Sequence, residues 1–288
     1  MNIIPFQSLA CPLDGDPLLL DGTSWRCGAG HTFDVARQGY THLLPVQKKR
    51  SLDPGDSKAM ILARQRFLNA GHYQPIAAEV NRLTLADLPA SAGHACLDAG
   101  CGEGYYLRQL VAERGHEEAM ALVGLDISKA AILSATRQAG TDNSQQPNWL
   151  VGSNANLPVL AATLDRVLCV FGFPVYAEFA RVLKPGGRLV QVDAGPDHLR
   201  ELREIIYPEL KPERKQDPAA PDNFVRVATD TLRYNLDLNE AGPVADLLAM
   251  TPHLYRAKAE GREKAAALDS LAVTVDVRLT TFQRVHSR

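Results

Sequence analysis

Leu97-Asp98-Ala99-Gly100-Cys101-Gly102-Glu103-Gly104-Tyr105-Tyr106 decides the fold. The apolar run Ala95-Cys96-Leu97-Asp98 leads into three glycines at alternate positions, and a helix-like stretch follows. Strand, tight glycine turn and helix make the opening of a βα unit, and the missing Cβ atoms let backbone and ligand approach closely at the turn. Four further apolar runs follow at spacings that suit βα units: Ala121-Leu122-Val123-Gly124-Leu125-Asp126, Trp149-Leu150-Val151, Val167-Leu168-Cys169-Val170 and Leu189-Val190-Gln191-Val192. Together they predict a doubly wound, mostly parallel α/β sheet. Val182-Leu183-Lys184-Pro185-Gly186-Gly187 ends a helix and enters the last of these strands. Residues 196–210 read as helical, Lys211 to Asp222 as a polar surface loop, and Ala272 to Val285 as a final antiparallel strand at or near the sheet edge.

The glycine spacing narrows the ligand. A dinucleotide loop reads Gly-x-Gly-x-x-Gly and aims a helix N-terminus at a pyrophosphate. Here the pattern is Gly-x-Gly-x-Gly, which suits a ligand without phosphates. Asp126 closes the second strand 22 residues beyond Gly104, where a carboxylate can accept both ribose hydroxyls of an adenosine-containing ligand.

Working outward, the whole chain carries 31 Lys and Arg against 33 Asp and Glu, a net charge of −2. No global cationic field binds nucleic acid, so any such contact is a local patch. One candidate is residues 45–68, where Lys48, Lys49, Arg50, Lys58, Arg64 and Arg66 face only Asp53 and Asp56. A solvated face is the plain alternative. After Pro54-Gly55, Asp56 or Ser57 can cap a helix with Met60, Ile61, Phe67 and Leu68 on one side, ending near Gly71. Residues 1 to about 44 hold Cys11, Cys27 and His31 among turn formers, which reads as a small loop-and-strand module. Five cysteines fit reduced thiols with a possible metal site better than a disulfide framework. Cys96, Cys101 and Cys169 lie in or beside strands and are assigned to packing. No run reaches the roughly 18 apolar residues that span a bilayer. The first residues have no basic n-region, although Ser8-Leu9-Ala10-Cys11 superficially resembles a lipoprotein cleavage box, and the expectation is a cytoplasmic protein.

The glycine loop, Asp126 and the Lys184-Pro185-Gly186-Gly187 turn resemble the class I S-adenosylmethionine-dependent methyltransferases. In that family the glycine loop with Asp98 holds the methionine part, and Asp126 with Ile127 the ribose side. Asn154, Ala155, Asn156 and Leu157 sit at the adenine contact. Flanking segments are more specific: His31-Thr32-Phe33-Asp34, Gly39-Tyr40-Thr41-His42-Leu43-Leu44-Pro45-Val46-Gln47, Asp53-Pro54-Gly55-Asp56-Ser57, Gly71-His72-Tyr73-Gln74-Pro75 and Gly195-Pro196-Asp197-His198-Leu199. They resemble the ribosomal large-subunit methyltransferase A family, whose members methylate N1 of a guanine in a 23S rRNA hairpin, at nucleotide 745 or a neighbouring site.

The resemblance implies several things. Tyr73 and His198 join Gly102 and Glu103 around S-adenosylmethionine; the plain readings are a core aromatic and a helix-start histidine bonded to backbone. The organisation is a zinc-ribbon-like RNA-recognition module at 1–44, a basic helical linker at 45–90 and a methyltransferase domain at 91–288. The partners are 23S rRNA and a second copy of the chain in a homodimer, with no membrane. The family binds zinc through Cys-x2-Cys and Cys-x3-His, whereas here Cys11-x2-Asp14 is followed by Cys27-x3-His31, so a carboxylate replaces one thiolate. Zinc accepts Asp oxygen, but more weakly than thiolate. His42 is an alternative ligand, and a metal-free knuckle packed by Leu18, Leu20, Trp25 and Phe33 is the other reading.

The target guanine must leave its stack to meet the sulfonium methyl. N1 is protonated at neutral pH, so a base or water must take that proton. Asp56, Asp193 and His72 are candidates among which the sequence does not choose. Phe171-Gly172-Phe173-Pro174 follows the fourth strand where target-base contacts lie in such enzymes, and Phe173 either stacks on the guanine or fills the core. Two rivals stand beside this reading: a small-molecule methyltransferase, and an inactive RNA-binding protein that keeps the fold.

Overall fold

The computed structural model describes residues 2–45, 55–88, 93–113, 119–140, 146–208, 219–251 and 258–285. Lys48, Lys49, Arg50, Asp53 and most of the Lys211–Asp222 segment lie outside the described residues.

The strands of the predicted sheet are β6 (His94–Ala99), β7 (Ala119–Asp126), β8 (Asn148–Val151), β9 (Leu164–Val170) and β10 (Leu183–Ala194). Three short N-terminal strands, β2 (Leu19–Asp21), β3 (Ser24–Arg26) and β4 (Thr32–Asp34), form a separate antiparallel sheet. The large sheet runs β11-β12-β10-β9-β6-β7-β8-β5, with β5 (Tyr40–His42), β11 (Phe224–Leu238) and β12 (Leu271–Arg284) completing that order, and β1 (Asn2–Ile4) pairs alongside β7. Strands β10, β9, β6, β7, β8 and β5 are parallel, whereas β12 runs antiparallel to β10 and β11 pairs antiparallel with β12. The final strand is thus antiparallel and next to the edge, as expected. The edge belongs to β11, whose strict alternation of half-buried and exposed residues has the period of two of a strand with one face covered.

From β6 the chain steps to β7 and β8 and then returns to β9 on the other side of β6. That reversal opens a crevice beyond the C-terminal ends of β6 and β9, the usual ligand position in open α/β sheets. Helices α1 (Lys58–Asn69), α2 (Gln74–Leu85), α3 (Tyr105–Ala112) and α4 (Lys129–Gln138) cover one face of the sheet. They are joined there by α6 (Arg200–Ile206), α7 (Ala241–Met250) and α8 (Ala259–Ala266).

The other face holds α5 (Tyr176–Val182) and the N-terminal segment: Phe6, Leu9, Cys11, Leu18, Trp25 and Leu43 share a core with Leu97, Val123, Leu125 and Leu150. Strand alternation makes this possible, since Leu97 and Ala99 point to one face while Cys96 points to the other. The N-terminal segment is therefore fused to the sheet through β1, β5 and a shared core. Its attachment continues in backbone bonds from Ala10 to the Pro158 carbonyl and from Leu160 to the Ser8 carbonyl. Helix α1 starts at the Ser57 cap, whose hydroxyl accepts from the Met60 amide, and it buries Ile61, Ala63, Phe67 and Leu68. Met60 is only half-buried.

Candidate functional site

The loop after β6 is fastened to the end of β7. The backbone amides of Gly100 and Cys101 both donate to the Leu125 carbonyl, at 2.8 and 3.0 Å. The Gly102 amide donates to Oδ2 of Asp126 at 2.9 Å, and the Ser128 amide to Oδ1 at 2.8 Å. Gly104 has φ of +81°, and a Cβ there would stand 2.6 Å from the ring of buried Trp149, so both backbone conformation and space demand glycine.

Three buried acceptor atoms around this loop have no hydrogen-bond partner: Oδ2 of Asp98, Oε1 of Glu103 and Oδ1 of Asn154. Native interiors rarely leave such atoms unpaired, and a group of three at a switch point marks a place built for a ligand with donors. Burial, together with the negative charge of Asp126, pushes the Asp98 carboxyl up to about 7. Burial also raises Asp126 and Glu103 above the usual carboxylate range. The other Glu103 oxygen accepts from Arg108 at 2.8 Å and from Gln138. Arg108 and Gln138 sit on α3 and α4, and no sequence motif pointed to them. A ligand that brings an ammonium, a sulfonium and ribose hydroxyls matches this surplus of acceptors, so the residues fit S-adenosylmethionine.

The adenine segment is divided. Asn154 reaches the cleft, its amide nitrogen 3.4 Å from the Ala99 carbonyl. Ala155 is exposed. Asn156 turns its side chain toward the Pro12 carbonyl at 3.4 Å, and the Leu157 amide already donates to Glu178 at 2.7 Å. Ile127 packs where the Gly55 turn crosses, 3.1 Å from the position of a Gly55 Cβ.

Tyr73 and His198, 125 residues apart in sequence, are brought together with the Tyr73 hydroxyl 3.4 Å from Nε2 of His198. Nδ1 of His198 accepts from the Asp276 amide at 3.3 Å, so in the neutral ring the hydrogen sits on Nε2 and points at Tyr73. The Gly195–Leu199 turn is built on Asp276: its carboxylate accepts from the Asp197 amide at 3.0 Å, and it fills the space that a Gly195 side chain would need. Asp276 was invisible in the sequence because it lies on β12, 78 residues downstream of His198. Phe171 completes this corner, stacked on His198 with ring centroids 5.6 Å apart. Its φ of +51° is unusual for a bulky residue, and strained backbone of this kind gathers at functional sites. Phe173 is 85% exposed and is not a core residue. Of the candidate bases, Asp56 is paired with Arg64, Asp193 accepts from Gln191 at 2.7 Å, and His72 packs on Phe67 at 4.5 Å.

In the N-terminal module Cys11, Asp14, Cys27 and His31 present four donor atoms all within 4.8 Å of one another. Nδ1 of His31 lies 3.5 Å from Cys11 Sγ, 3.4 Å from Cys27 Sγ and 2.8 Å from Asp14 Oδ2. Two sulfurs, one imidazole nitrogen and one carboxylate oxygen at these separations are the donor set of a tetrahedral zinc site, and the residues fit that ion. His42 lies on β5 opposite Val151, outside this group. Leu20 is 47% exposed, so the packing of the module rests on Leu18 and Trp25.

The basic segment is less free than its composition implied. Arg64 pairs with Asp56, and Arg66 pairs with Asp246 on α7 through both Nε and Nη2. No helix among the described residues is long and apolar enough to cross a membrane.

Comparison with known proteins adds to this geometry. Residues 9–52 match the family model described as RlmA, N-terminal, and residues 96–187 match a methyltransferase domain. A 23S rRNA (guanine(748)-N(1))-methyltransferase from Streptomyces fradiae is 33% identical over 87% of this chain and 86% of its own length. YxjB from Bacillus subtilis (strain 168) is 30% identical over 95% of this chain and 96% of its own.

Proposed function

The chain belongs to the RlmA-type family of 23S rRNA guanine-N1-methyltransferases, and we propose that it transfers a methyl group from S-adenosylmethionine to N1 of a guanine in a 23S rRNA hairpin, at the nucleotide its Streptomyces fradiae relative modifies or a neighbour. The observation that carries this reading is the set of unpartnered acceptors of Asp98, Glu103 and Asn154 gathered around a glycine loop that is bonded to Asp126.

Asp126 would take the ribose hydroxyls, and Asp98 and Glu103 the cationic methionine end. Asn154 would take the adenine, with Ile127, Ala155, Asn156 and Leu157 lining its edge. Gly100, Gly102 and Gly104 keep that surface free of side chains, while Tyr73 and His198 close the cleft from the far side. The bound cofactor supplies an electrophilic methyl on sulfur. Guanine N1 would pass its proton to water or a side chain, and its electron pair would then accept the methyl as the bond from methyl to sulfur breaks, with S-adenosylhomocysteine as the leaving product. Phe171 is better placed than Phe173 to receive the flipped base, because its ring is already set against His198.

Residues 1–44 serve as the RNA-recognition module around a zinc ion on Cys11, Asp14, Cys27 and His31. Residues 45–90 act as the basic linker and 91–288 carry the chemistry. The assembly is a homodimer and the compartment the cytoplasm. The test presents purified protein, loaded with zinc, with an unmodified 23S hairpin RNA and a metabolite fraction side by side. Label in the RNA supports the reading. Label in a metabolite alone points to a small-molecule methyltransferase, and tight RNA binding without transfer to an inactive binder.

A further inference from the structure

Arg64 is a cation at the edge of this acidic cleft. It lies on α1, which is capped by Ser57 directly after the Gly55-Asp56 turn. That turn is clamped to the cofactor edge: the Ser128 hydroxyl donates to the Asp56 carbonyl at 3.3 Å, and a Cβ on Gly55 would come within 2.9 Å of the Ser128 Cβ. From there Arg64 reaches across the glycine loop, where its Nη1 is 3.6 Å from the position a Gly102 Cβ would take.

Two partners orient the guanidinium: the Asp56 carboxylate takes Nη1, and the Met250 carbonyl at the end of α7 takes Nη2 at 3.2 Å. A guanidinium has five N–H donors in a fixed fork, so these bonds leave donors for a further acceptor. Its charge acts on both Glu103 and Asp126. The neighbouring cation, Arg108, is already engaged by the carbonyl and carboxylate of Glu103 and by Asn69.

Three carboxylates, Asp98, Glu103 and Asp126, suit the cationic groups and hydroxyls of the cofactor. They repel its one anionic group, the carboxylate of the methionine portion, and a cation beside the glycine loop would offset that repulsion. We propose that Arg64, held by Asp56 and Met250, binds the methionine carboxylate of S-adenosylmethionine and is a cofactor-specificity residue instead of an RNA phosphate contact. The proposal rests on the cofactor reading given above.

The experiment titrates the full-length protein by calorimetry with S-adenosylmethionine and with its decarboxylated analogue, which lacks only that carboxylate. The wild-type protein is expected to bind S-adenosylmethionine about 10- to 100-fold more tightly than the analogue. Arg64→Met should bring the two affinities together, leaving that for the analogue within about twofold, and Arg64→Lys should restore part of the preference. Equal wild-type affinities for the two ligands overturn the proposal without recourse to any variant and leave the cofactor reading intact. Binding of neither ligand overturns both. An Arg64→Met protein that keeps the preference, or weakens both ligands alike, also overturns the proposal, and a reduced salt dependence of hairpin binding in that variant would return Arg64 to the RNA.

Discussion

Oδ2 of Asp126 accepts a hydrogen bond from the backbone amide of Gly102 at 2.9 Å, which makes the acid of β7 and the glycine loop of β6 one unit. The acid is oriented before any ligand arrives, and each of its oxygens keeps a lone pair beyond the amide bond it accepts. Asp126→Asn would keep the shape but set an NH2 group against the amide of Gly102 or Ser128. We expect S-adenosylhomocysteine affinity to fall by about 10- to 100-fold, the worth of a charge-assisted hydrogen bond of about 1.5–3 kcal/mol. Isothermal calorimetry checks this, and an unchanged affinity would remove Asp126 from the site.

Cofactor binding should depend on pH through Asp98. Its carboxyl is raised to about 7 by burial and by Asp126. A raised acid binds its proton more tightly in the folded state, so its ionisation costs stability as pH climbs from the ordinary carboxylate range to about 7. A cationic ligand reverses the preference and expels the proton. Binding at pH 6 should therefore release about one proton, and binding at pH 8 almost none. Calorimetry in two buffers of different ionisation enthalpy measures it, and no proton release at pH 6 would contradict the assignment. Asp98→Asn should raise the melting temperature of the ligand-free protein more at pH 8 than at pH 5.

Gly104 is a stability position as well as a cofactor position. A methyl there meets Trp149 at 2.6 Å and Ala135 at 3.0 Å, in a left-handed backbone. Gly104→Ala should cost about 2–4 kcal/mol from overpacking and backbone strain combined, read as a lower denaturant midpoint without ligand. A midpoint equal to wild type would mean that Trp149 can move aside.

The zinc site makes its own prediction, because Asp14 is the one hard ligand among softer ones. Asp14→Cys should hold zinc more tightly than wild type against a competing chelator, and Asp14→Ala less tightly. Since Cys11 and Cys27 share a core with the sheet, stripping zinc should also lower the melting temperature of the whole chain in one transition. A melting curve indifferent to chelation would argue for a knuckle held by packing alone.

Phosphate contacts are expected from Lys48, Lys49 and Arg50. Replacing all three with Ala should reduce the slope of log affinity against log salt by about 2, at roughly 0.7 per contact on single strands. Arg66→Ala should leave that slope alone, because Arg66 is spent on Asp246. The reverse pattern would place the RNA on α1.

Much of this was legible because parallel strands buried on both faces read as short apolar runs, and because the glycine loop and Asp126 are local in sequence. Ser57 as a cap and the Cys11, Asp14, Cys27, His31 group were readable for the same reason. Asp276 behind His198, Gln138 behind Glu103 and Asp246 on Arg66 were not, since each is a partner distant in sequence that only the fold supplies, whereas Arg108 lies five residues from Glu103 but belongs to no motif. The fusion of the N-terminal module to the sheet was hidden similarly: β1 and β5 are three residues each, too short to show a period.

The most direct measurement supplies zinc-loaded protein with labelled S-adenosylmethionine and unmodified 23S hairpin RNA, digests the product to nucleosides and identifies the labelled one by chromatography and mass. The account predicts 1-methylguanosine, reduced at limiting cofactor when Asp126 is replaced. Label in any other nucleoside, or none in the RNA from protein that demonstrably binds the cofactor, would contradict it.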